Sequence, residues 1–360
     1  MSYKKCDYKN LKELCNNVFE RFGYNKEDSN IITDVLLMAD LYGIESHGIQ
    51  RLVLYYNGIK NGRIKVNSKM KVIKETPLSV LVDGNKEMGQ LVSKNSMDIA
   101  INKAKISGFG MAVVKNSNHF GISGYYAKMA ADQGFIGISM TNTQAVVLPT
   151  YSKRRMLGTN PIAISMPAKP IPFLLDMSTS VVTRGKMEVY SKNNEPIPEG
   201  WALDEEGKII TDSKKIIEIT DREGLGGILP LGGHSEKFGG HKGYGLGLAV
   251  EMFTSILSGG FTSDNVRFSK GVDGVSHTFI AIDYGMFGDK NEIEKRMSDY
   301  MQKLRDSEKV QGASRIYTHG EKEIEAYNDR IKNGIPVNQN TIKEIEDICD
   351  YLKLDIARYK

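Results

Sequence analysis

The chain has 360 residues, 40% hydrophobic and 26% charged, which is the composition of an ordinary globular protein with two or three domains. Its formal charge of +4 is small and its basic residues are scattered, which argues against a nucleic-acid groove or a polybasic membrane patch. The three cysteines, Cys6, Cys15 and Cys349, fit neither a disulfide framework nor a metal-binding pair. No signal-peptide core and no run of ~18 apolar residues occurs, so a cytoplasmic location is expected.

The first sixty residues are predicted to be helical. Apolar side chains recur at helical spacing over 11–22 and 31–42. A third helix is predicted over 46–61, with Ser46 as its N-cap and Gly62 as its C-terminal stop.

From about residue 70, short β-rich runs alternate with helical ones, which predicts an α/β domain. The predicted strands are 79–82, 109–114, 135–140, 161–166, 173–176 and 279–282. The predicted helices are 92–106, 121–133, 246–257, 292–307 and 339–352. Ten glycines within 224–247 predict tight turns or a close approach of the backbone to another group.

The first cluster of chemically active side chains lies on the predicted helix 46–61. His47, Arg51 and Tyr55 are spaced i, i+4, i+8 and would share one face. A guanidinium binds a carboxylate through two parallel hydrogen bonds, and an imidazole transfers protons near neutral pH. The spacing fits a face that binds and converts an acid, and it equally fits an amphipathic surface helix.

The second cluster, at 115–121, follows a predicted strand and opens a predicted helix. Ligands bind at such junctions in α/β proteins. His119 could act there as an acid/base group, and a purely structural histidine is the alternative.

Two further junctions have groups that suit phosphate or ribose. Residues 176–180 bring an aspartate and three hydroxyl side chains to a strand end, where hydroxyls either cap a helix or bind a ligand. The segment 239–245 combines glycines and Lys242 at the head of a helix, which makes an anion site. The six histidines are spread along the chain and no metal-ligand spacing occurs, so no metal site is expected.

The usual dinucleotide-binding signature, G-x-G-x-x-G, is absent. The phrase at 243–248 has Leu248 in place of the third glycine, and the phrase at 108–113 has Val113 there. An ordinary Rossmann domain is therefore not predicted. The residues alone indicate an α/β enzyme of undefined chemistry.

Taken together, the phrases resemble the type 2 malate/L-lactate dehydrogenase family, which also includes ureidoglycolate and sulfolactate dehydrogenases, diketogulonate reductase and a cyclic imino-acid reductase. The resemblance runs from about residue 10 to residue 350, and its phrases keep the family order. They are Ser-His-Gly at 46–48 with Arg51, Asn-Ser-Asn-His-Phe-Gly at 116–121, Gly-Thr-Asn-Pro at 158–161, Asp-Met-Ser-Thr at 176–179, Ile-Pro-Glu-Gly-Trp-Ala at 197–202, Leu-Pro-Leu-Gly-Gly at 229–233, His-Lys-Gly-Tyr-Gly-Leu at 241–246, Ala-Ile-Asp at 281–283 and Gly-Ile-Pro at 334–336.

The resemblance implies an α/β fold with a mostly antiparallel central sheet flanked by helices, which binds NAD or NADP without a classical Rossmann domain. It also implies a homodimer with active sites near the subunit interface. Three domains are expected: an N-terminal helical domain over 1–75 that carries substrate residues, a cofactor-binding and catalytic α/β domain over 76–290, and a C-terminal helical segment over 291–360.

The resemblance assigns roles residue by residue. His119 would take the hydroxyl proton while hydride leaves for the nicotinamide, and His47 would orient or polarise the same oxygen, although family members use one or the other as the acid/base. Arg51 would clamp the substrate carboxylate, and the substrate pocket would be lined by Ser46, Tyr55, Thr159 and Asn160. The implied cofactor contacts are Thr143, Asp176, Ser178, Thr179, His241, Lys242, Gly320 and Glu321. Residues 318–321 read Thr-His-Gly-Glu where the family pattern has Pro-Gly-Glu.

The expected function is an NAD(P)-dependent oxidoreductase of a small 2-hydroxy or 2-oxo acid, most simply malate or lactate. Ureidoglycolate, sulfolactate and a cyclic imino acid are the alternatives within the family, and they differ in the group beyond C2. A catalytically silent binding protein is the alternative from another class. No nucleic-acid or membrane partner is expected.

Overall fold

The computed structural model describes residues 3–266 and 274–355 and is built around one seven-stranded sheet. The strands are β1 Tyr3–Cys6, β2 Lys71–Glu75, β3 Ser79–Asp83, β4 Phe109–Ser117, β5 Ile136–Thr141, β6 Ile162–Met166, β7 Phe173–Met177, β8 Ala202–Leu203, β9 Gly227–Ile228, β10 Val275–Ile282 and β11 Ile335–Asn338. The large sheet has the order β2-β3-β4-β10-β5-β6-β7. Its only parallel neighbours are β3 and β4, so the predicted mostly antiparallel sheet is confirmed.

Helices cover the sheet and form the two ends of the described chain. They are α1 Tyr8–Arg21, α2 Lys26–Leu41, α3 Leu52–Lys60, α4 Gly89–Ser107, α5 Ser123–Ala131, α6 Arg184–Lys192, α7 Ser213–Asp221, α8 Gly240–Glu251, α9 Lys290–Asp306, α10 Glu321–Asn333 and α11 Gln339–Leu352.

The α4 helix makes the crossover that the parallel β3–β4 pair requires. It packs so closely on β4 that a Cβ atom on Gly110 would lie 1.9 Å from the carbonyl oxygen of Ala100. The core beneath it is aromatic: Phe279 of β10 is fully buried and lies against Phe120 and Tyr126. This packing fixes the ends of β4 and α5, where the segment 118–122 connects them.

A second core joins the two ends of the chain. The strand β1 pairs with β11, and α11 packs against α1 and α3. Val18, Phe19 and Leu36 from the N-terminal helices share this core with Ile345 and Ile348 from α11. Side-chain caps begin α1 and α2, because Asp7 and Asn25 accept hydrogen bonds from backbone N–H groups of the first turns.

A third core is built mainly from the chain between β7 and α8, with Val147 added from the connection between β5 and β6. It contains Val147, Met187, Ile197 and Ile216, with Trp201 packed against it. The helices α6 and α7 and the short β8–β9 pair surround this core. The helix α6 contacts the N-terminal segment near residue 45, so this small unit reaches the first helical layer.

Most of the predicted elements are confirmed within a few residues, and the differences are local. The sequence patterns do not predict five of the strands and three of the helices, which are β1, β2, β8, β9, β11, α6, α7 and α10. The predicted helix 246–257 begins earlier, at Gly240, and its last part, Met252–Ile256, is a π-helix. The predicted division of the chain into three domains, with boundaries after residues 75 and 290, stays a prediction. Residues 1–2 of the first domain and 356–360 of the last lie outside the described residues.

The predicted continuous helix over 46–61 is wrong. Two separate 3-10 turns, Glu45–His47 and Ile49–Arg51, precede the α-helix, which begins only at Leu52. The predicted end is confirmed, since the helix stops at Lys60 and Gly62 has a φ of 74°. Within the described residues, no helix is both long enough and apolar enough to cross a bilayer.

Candidate active site

The buried carboxyl of Asp40 shapes the turn that carries Ser46, His47 and Arg51. The Ile49 backbone N–H donates to its Oδ2 at 2.6 Å, and a Cβ atom on Gly48 would lie 2.0 Å from Oδ1. The carboxyl therefore caps the 3-10 turn Ile49–Arg51, whose leading N–H groups have no partner within the turn, and the chain bends between the two turns at Gly48. Burial raises the pKa of Asp40 to about 8, and the hydrogen bond from Ile49 opposes that rise.

Ser46 is not an N-cap, contrary to prediction, because it lies inside the first 3-10 turn and caps nothing with its side chain. Its hydroxyl oxygen lies 2.9 Å from Nδ1 of His47 instead. The same turn places the two predicted catalytic histidines together. The rings of His47 and His119 stack with centroids 5.6 Å apart and an interplanar angle of 22°.

Each histidine is bonded through the same ring nitrogen. Nδ1 of His119 lies 2.9 Å from the Tyr55 hydroxyl, as Nδ1 of His47 does from Ser46. Among the described residues, no protein group bonds to either Nε2 atom, so both are left for a ligand. Two such nitrogens on stacked rings can address one substrate oxygen.

Both imidazoles are kept in their neutral form. Enclosure by protein, followed by the Arg51 charge, lowers the pKa of His47, and Glu188 opposes this. Enclosure also lowers the pKa of His119, with further contributions from His47 and Arg51. Both rings keep partial solvent exposure, so that a small acid can reach them. Neutral imidazoles at pH 7 are ready to accept a proton.

The backbone of His119 is held by the start of α4. A Cβ atom on Gly89 would lie 2.4 Å from the His119 carbonyl oxygen and 2.3 Å from that of Asn118. The amide of Asn118 donates to the carbonyl oxygens of Lys86 at 3.0 Å and Glu87 at 2.9 Å. Direct contact of two backbones thus sets the position of this histidine.

Arg51 lies beside the histidines but is bonded to the protein. Its Nε donates to the carbonyl oxygen of Ser46 at 2.7 Å, and its Nη2 pairs with Glu188 on α6 at 2.8 Å. Gly185, also on α6, lies directly against it, since a Cβ atom there would be 2.3 Å from Nη2. The predicted clamp is therefore an ordered side chain.

Four other predicted residues form a second cluster. The Thr159 N–H donates to the Thr143 hydroxyl at 3.2 Å, and the Thr179 hydroxyl donates to the carbonyl oxygens of Thr159 at 3.2 Å and Asn160 at 3.1 Å. The Asn160 amide donates to the carbonyl oxygen of Gly247 in α8 at 3.0 Å. This cluster holds the second half of α8, the helix whose first turn carries His241 and Lys242.

A buried carboxylate supports the second cluster. Glu251 is 4% exposed and accepts hydrogen bonds from the amides of Asn160 at 2.9 Å and Asn142 at 3.0 Å. Ser255 donates to it at 2.7 Å, and Ser263 donates through both its N–H, at 2.9 Å, and its hydroxyl, at 2.7 Å. Five donors satisfy this carboxylate, so it is a structural centre.

Asp176 and Ser178 take separate places. Asp176 accepts the Gly124 N–H of the first turn of α5 at 2.7 Å, and burial raises its pKa to about 6. The Ser178 hydroxyl donates to the carbonyl oxygen of Ser180 at 3.0 Å. Asp176, near the end of β7, therefore joins this strand to α5, the helix that follows His119.

The glycine-rich stretch confirms the expected close backbone approach. A Cβ atom on Gly240 would lie 2.1 Å from the Gly233 carbonyl oxygen, and one on Gly243 would lie 2.1 Å from that of Leu231. His241 and Lys242 are exposed in the first turn of α8. The result is a backbone cradle with an exposed cation at a helix N-terminus.

Gly320 and Glu321 lie at the start of α10, beside β7. Glu321 is 1% exposed, and its carboxylate is bonded to Arg305, Arg315 and the Thr318 hydroxyl. These partners lower its pKa to about 2 against the opposing effect of burial. Its oxygens are engaged by the protein, so a cofactor at this end would meet the arginines as well.

Sequence reasoning missed Glu188, Gly89 and Glu251. Glu188 reads as an ordinary i, i+4 partner of Arg184, and Gly89 reads as a helix start. The buried acid Glu251 inside an otherwise apolar helix was the one visible signal. Among the residues described, no three His, Cys, Asp or Glu side chains converge as a metal site would need.

Comparison with known proteins gives one consistent family. The family profile described as malate/L-lactate dehydrogenase matches residues 6–346. The chain is 46% identical to a malate dehydrogenase of Pyrococcus horikoshii over 333 residues, covering 92% of this chain and 91% of that protein. It is 38% identical to the L-sulfolactate dehydrogenase of Methanocaldococcus jannaschii, covering 97% and 98% of the two chains. The crystal structure of malate dehydrogenase from Entamoeba histolytica is similar with a TM-score of 0.95 at 37% identity, covering 98% of this chain and 99% of that one.

The contact of Gly89 with the His119 backbone makes a steric prediction. The substitution Gly89→Ala adds a Cβ atom against two carbonyl oxygens that cannot move as a flexible side chain would. We expect kcat to fall by about 10²-fold through misplacement of His119. Steady-state kinetics measure this, with Gly62→Ala as a control that strains the backbone at a φ of 74° but brings its Cβ atom within 4 Å of no other group, so that kcat should be kept. Unchanged turnover in Gly89→Ala would contradict the role given to this contact.

Proposed function

The chain belongs to the malate/L-lactate dehydrogenase family, and we propose that it transfers hydride between NAD or NADP and a small 2-hydroxy or 2-oxo acid in the cytoplasm. The observation that carries the proposal is the stacked pair of neutral histidines, His47 and His119, with Arg51 beside them. Malate is the first substrate candidate, because the Pyrococcus horikoshii relative is named a malate dehydrogenase. Sulfolactate is the second, because the Methanocaldococcus jannaschii relative is named for it.

In the proposed reaction three side chains have separate roles. Arg51 binds the substrate carboxylate and so orients C2, and orientation alone removes much of the barrier. In the tautomer whose Nδ1–H donates to the Tyr55 hydroxyl, Nε2 of His119 accepts the hydroxyl proton during oxidation and returns it during reduction. Nε2 of His47, on the ring stacked against His119, binds the same oxygen. The nicotinamide, when bound, accepts or donates the hydride.

The proposed cofactor site needs no Rossmann domain. The backbone cradle of the glycine-rich stretch, the exposed Lys242 and the first turn of α8 suit a phosphate. Thr143 and Thr179 border α8 from the second cluster, and Gly320 borders β7, where its Cβ atom would lie 2.9 Å from the Pro172 carbonyl oxygen. NAD and NADP both fit this description.

A panel of 2-oxo acids tests the proposal directly. Oxidation of NADH and NADPH is followed at 340 nm with oxaloacetate, pyruvate, sulfopyruvate and a cyclic imino acid, and ureidoglycolate is run in the oxidative direction. We expect turnover with one cofactor and one acid, a collapse of kcat in His119→Ala, and a raised KM for the acid in Arg51→Ala. Binding of neither cofactor, or near-wild-type turnover in His119→Ala, would overturn the proposal. A catalytically silent binding protein predicts no turnover at all.

We propose that the enzyme is a homodimer that pairs through α8 and the π-helix after it. The exposed face of this segment is apolar: Leu248 is 50% exposed, Met252 47% and Ile256 59%. The inward face is polar or small apart from Val250, with Gly247, Glu251, Thr254 and Ser255 buried. This inversion of an amphipathic helix is typical of a surface that another protein covers.

The dimer makes a prediction for sedimentation. At micromolar concentration the wild-type chain should sediment with twice the chain mass, and Leu248→Asp combined with Met252→Asp should give monomer. The control Ile106→Asp places the same charge on a residue that is 86% exposed on α4, and it should leave the dimer intact. A monomeric wild type would contradict the proposed pairing.

A further inference from the structure

The guanidinium of Arg51 is held by two of its three nitrogens. Nε donates to the Ser46 carbonyl oxygen at 2.7 Å, and Nη2 pairs with Glu188 at 2.8 Å. A guanidinium has five N–H groups in a fixed plane, so bonds at Nε and Nη2 fix its orientation completely. The side-on edge of Arg51 is thus used by the protein. The end-on edge, formed by Nη1 and the second hydrogen of Nη2, is left for a planar anion.

Glu188 is itself anchored from behind. Its other oxygen pairs with Arg184, one turn earlier on α6, and Arg184 also pairs with Asp221 at 2.5 Å and donates to the Thr220 hydroxyl at 3.3 Å. The side chains of Arg51 and Glu188 are only 15% and 19% exposed, whereas Asp221 is 61% exposed. The inner pair is therefore poorly screened by solvent, and the outer one is well screened.

The charges alternate along this chain of residues. Arg51, Glu188, Arg184 and Asp221 follow one another as plus, minus, plus and minus. The two flanking guanidiniums lower the pKa of Glu188 against the effect of burial, which keeps its carboxylate ionised. Glu188 lies on the small unit and Arg51 on the catalytic turn, so the pair joins the two parts of the fold that enclose the histidines.

We propose that Glu188 is a positioning residue of the substrate clamp. It holds Arg51 so that the guanidinium presents its end-on edge to the carboxylate of the 2-oxo acid. The inference rests on the proposed function, because it assigns Arg51 to that carboxylate. Glu188 touches neither substrate nor reacting atoms and acts through Arg51 alone.

Two effects of removing the Glu188 charge have opposite signs. Loss of a nearby negative charge would by itself strengthen binding of an anionic substrate. Loss of the anchor would let Arg51 turn away and weaken that binding. The proposal states that the anchor dominates, because an ordered fork binds a carboxylate at a lower entropy cost than a free one.

The test is a double-mutant cycle on Glu188→Gln and Arg51→Ala. Glutamine keeps the size of the side chain but removes its charge, and its NH2 group replaces one of the two oxygens that the arginines contact separately. We expect Glu188→Gln to raise KM for the 2-oxo acid about tenfold, the effect of one charge-assisted hydrogen bond, with a smaller change in kcat. In the Arg51→Ala background the same substitution should change kcat/KM by less than about twofold, because the guanidinium that Glu188 positions is absent.

The matched control is Glu344→Gln. Glu344, on α11, pairs at 2.9 Å with Lys192, which lies on α6 as Glu188 does. The exposure of this pair is comparable, 22% for the lysine and 35% for the glutamate. It does not border Arg51, so its KM should equal that of wild type. Thermal unfolding of all variants shows whether they fold alike.

Binding of oxamate, an unreactive 2-oxo acid analogue, in the presence of NADH or NADPH gives a readout without turnover. Calorimetry should show about tenfold weaker binding in Glu188→Gln. A lower KM in Glu188→Gln, an unchanged KM, or an equal loss in the Arg51→Ala background would overturn the inference while leaving the proposed function intact. A wild-type protein that neither turns over the acids nor binds oxamate would instead overturn the proposed function.

Discussion

The hydrogen bond from the Ile49 N–H to the buried carboxyl of Asp40 is the interaction on which the site depends. It caps the second of the two 3-10 turns and holds the bend at Gly48, where the carboxyl leaves no room for a side chain. The bend sets Ser46 and His47 on one side and Arg51 on the other. A regular helix would place these residues on one face but would remove the Ser46 contacts that orient both His47 and Arg51.

The rest of the site is assembled from parts distant in sequence, through one backbone contact and two side-chain contacts. His119 is set by the start of α4, Arg51 by α6, and Asn160 by the buried Glu251 at the end of α8. The contact from α4 comes from the aromatic core and the contact from α6 from the core around Met187, so these two cores together position the groups at the histidines. This arrangement preorganises charged and polar groups at the cost of several buried polar contacts.

The sequence predicts the layers and the reactive groups of this fold well, because both are local patterns. Period-2 and period-3.6 hydrophobicity locates most of the sheet and the N-terminal helices, and the Lys115–Gly121 phrase marks the end of a strand. The bend at Gly48 was not predictable, because the carboxyl that holds it lies eight residues earlier and folds back beneath it. Glu188 was missed for the same kind of reason: its i, i+4 spacing to Arg184 explains it locally, and only tertiary structure reveals Arg51 as its partner.

The central claim is that enclosure keeps His47 and His119 neutral, so that the pair can accept the hydroxyl proton. The most direct test is the pH dependence of kcat/KM for oxidation of the 2-hydroxy acid, which reports the free enzyme. Because both pKa values lie below the usual 6.5, activity should be retained as pH falls to 6.5 and lost only below it. Loss of half the activity at or above pH 7 would show that a charged imidazole is stable in this site and would contradict the account.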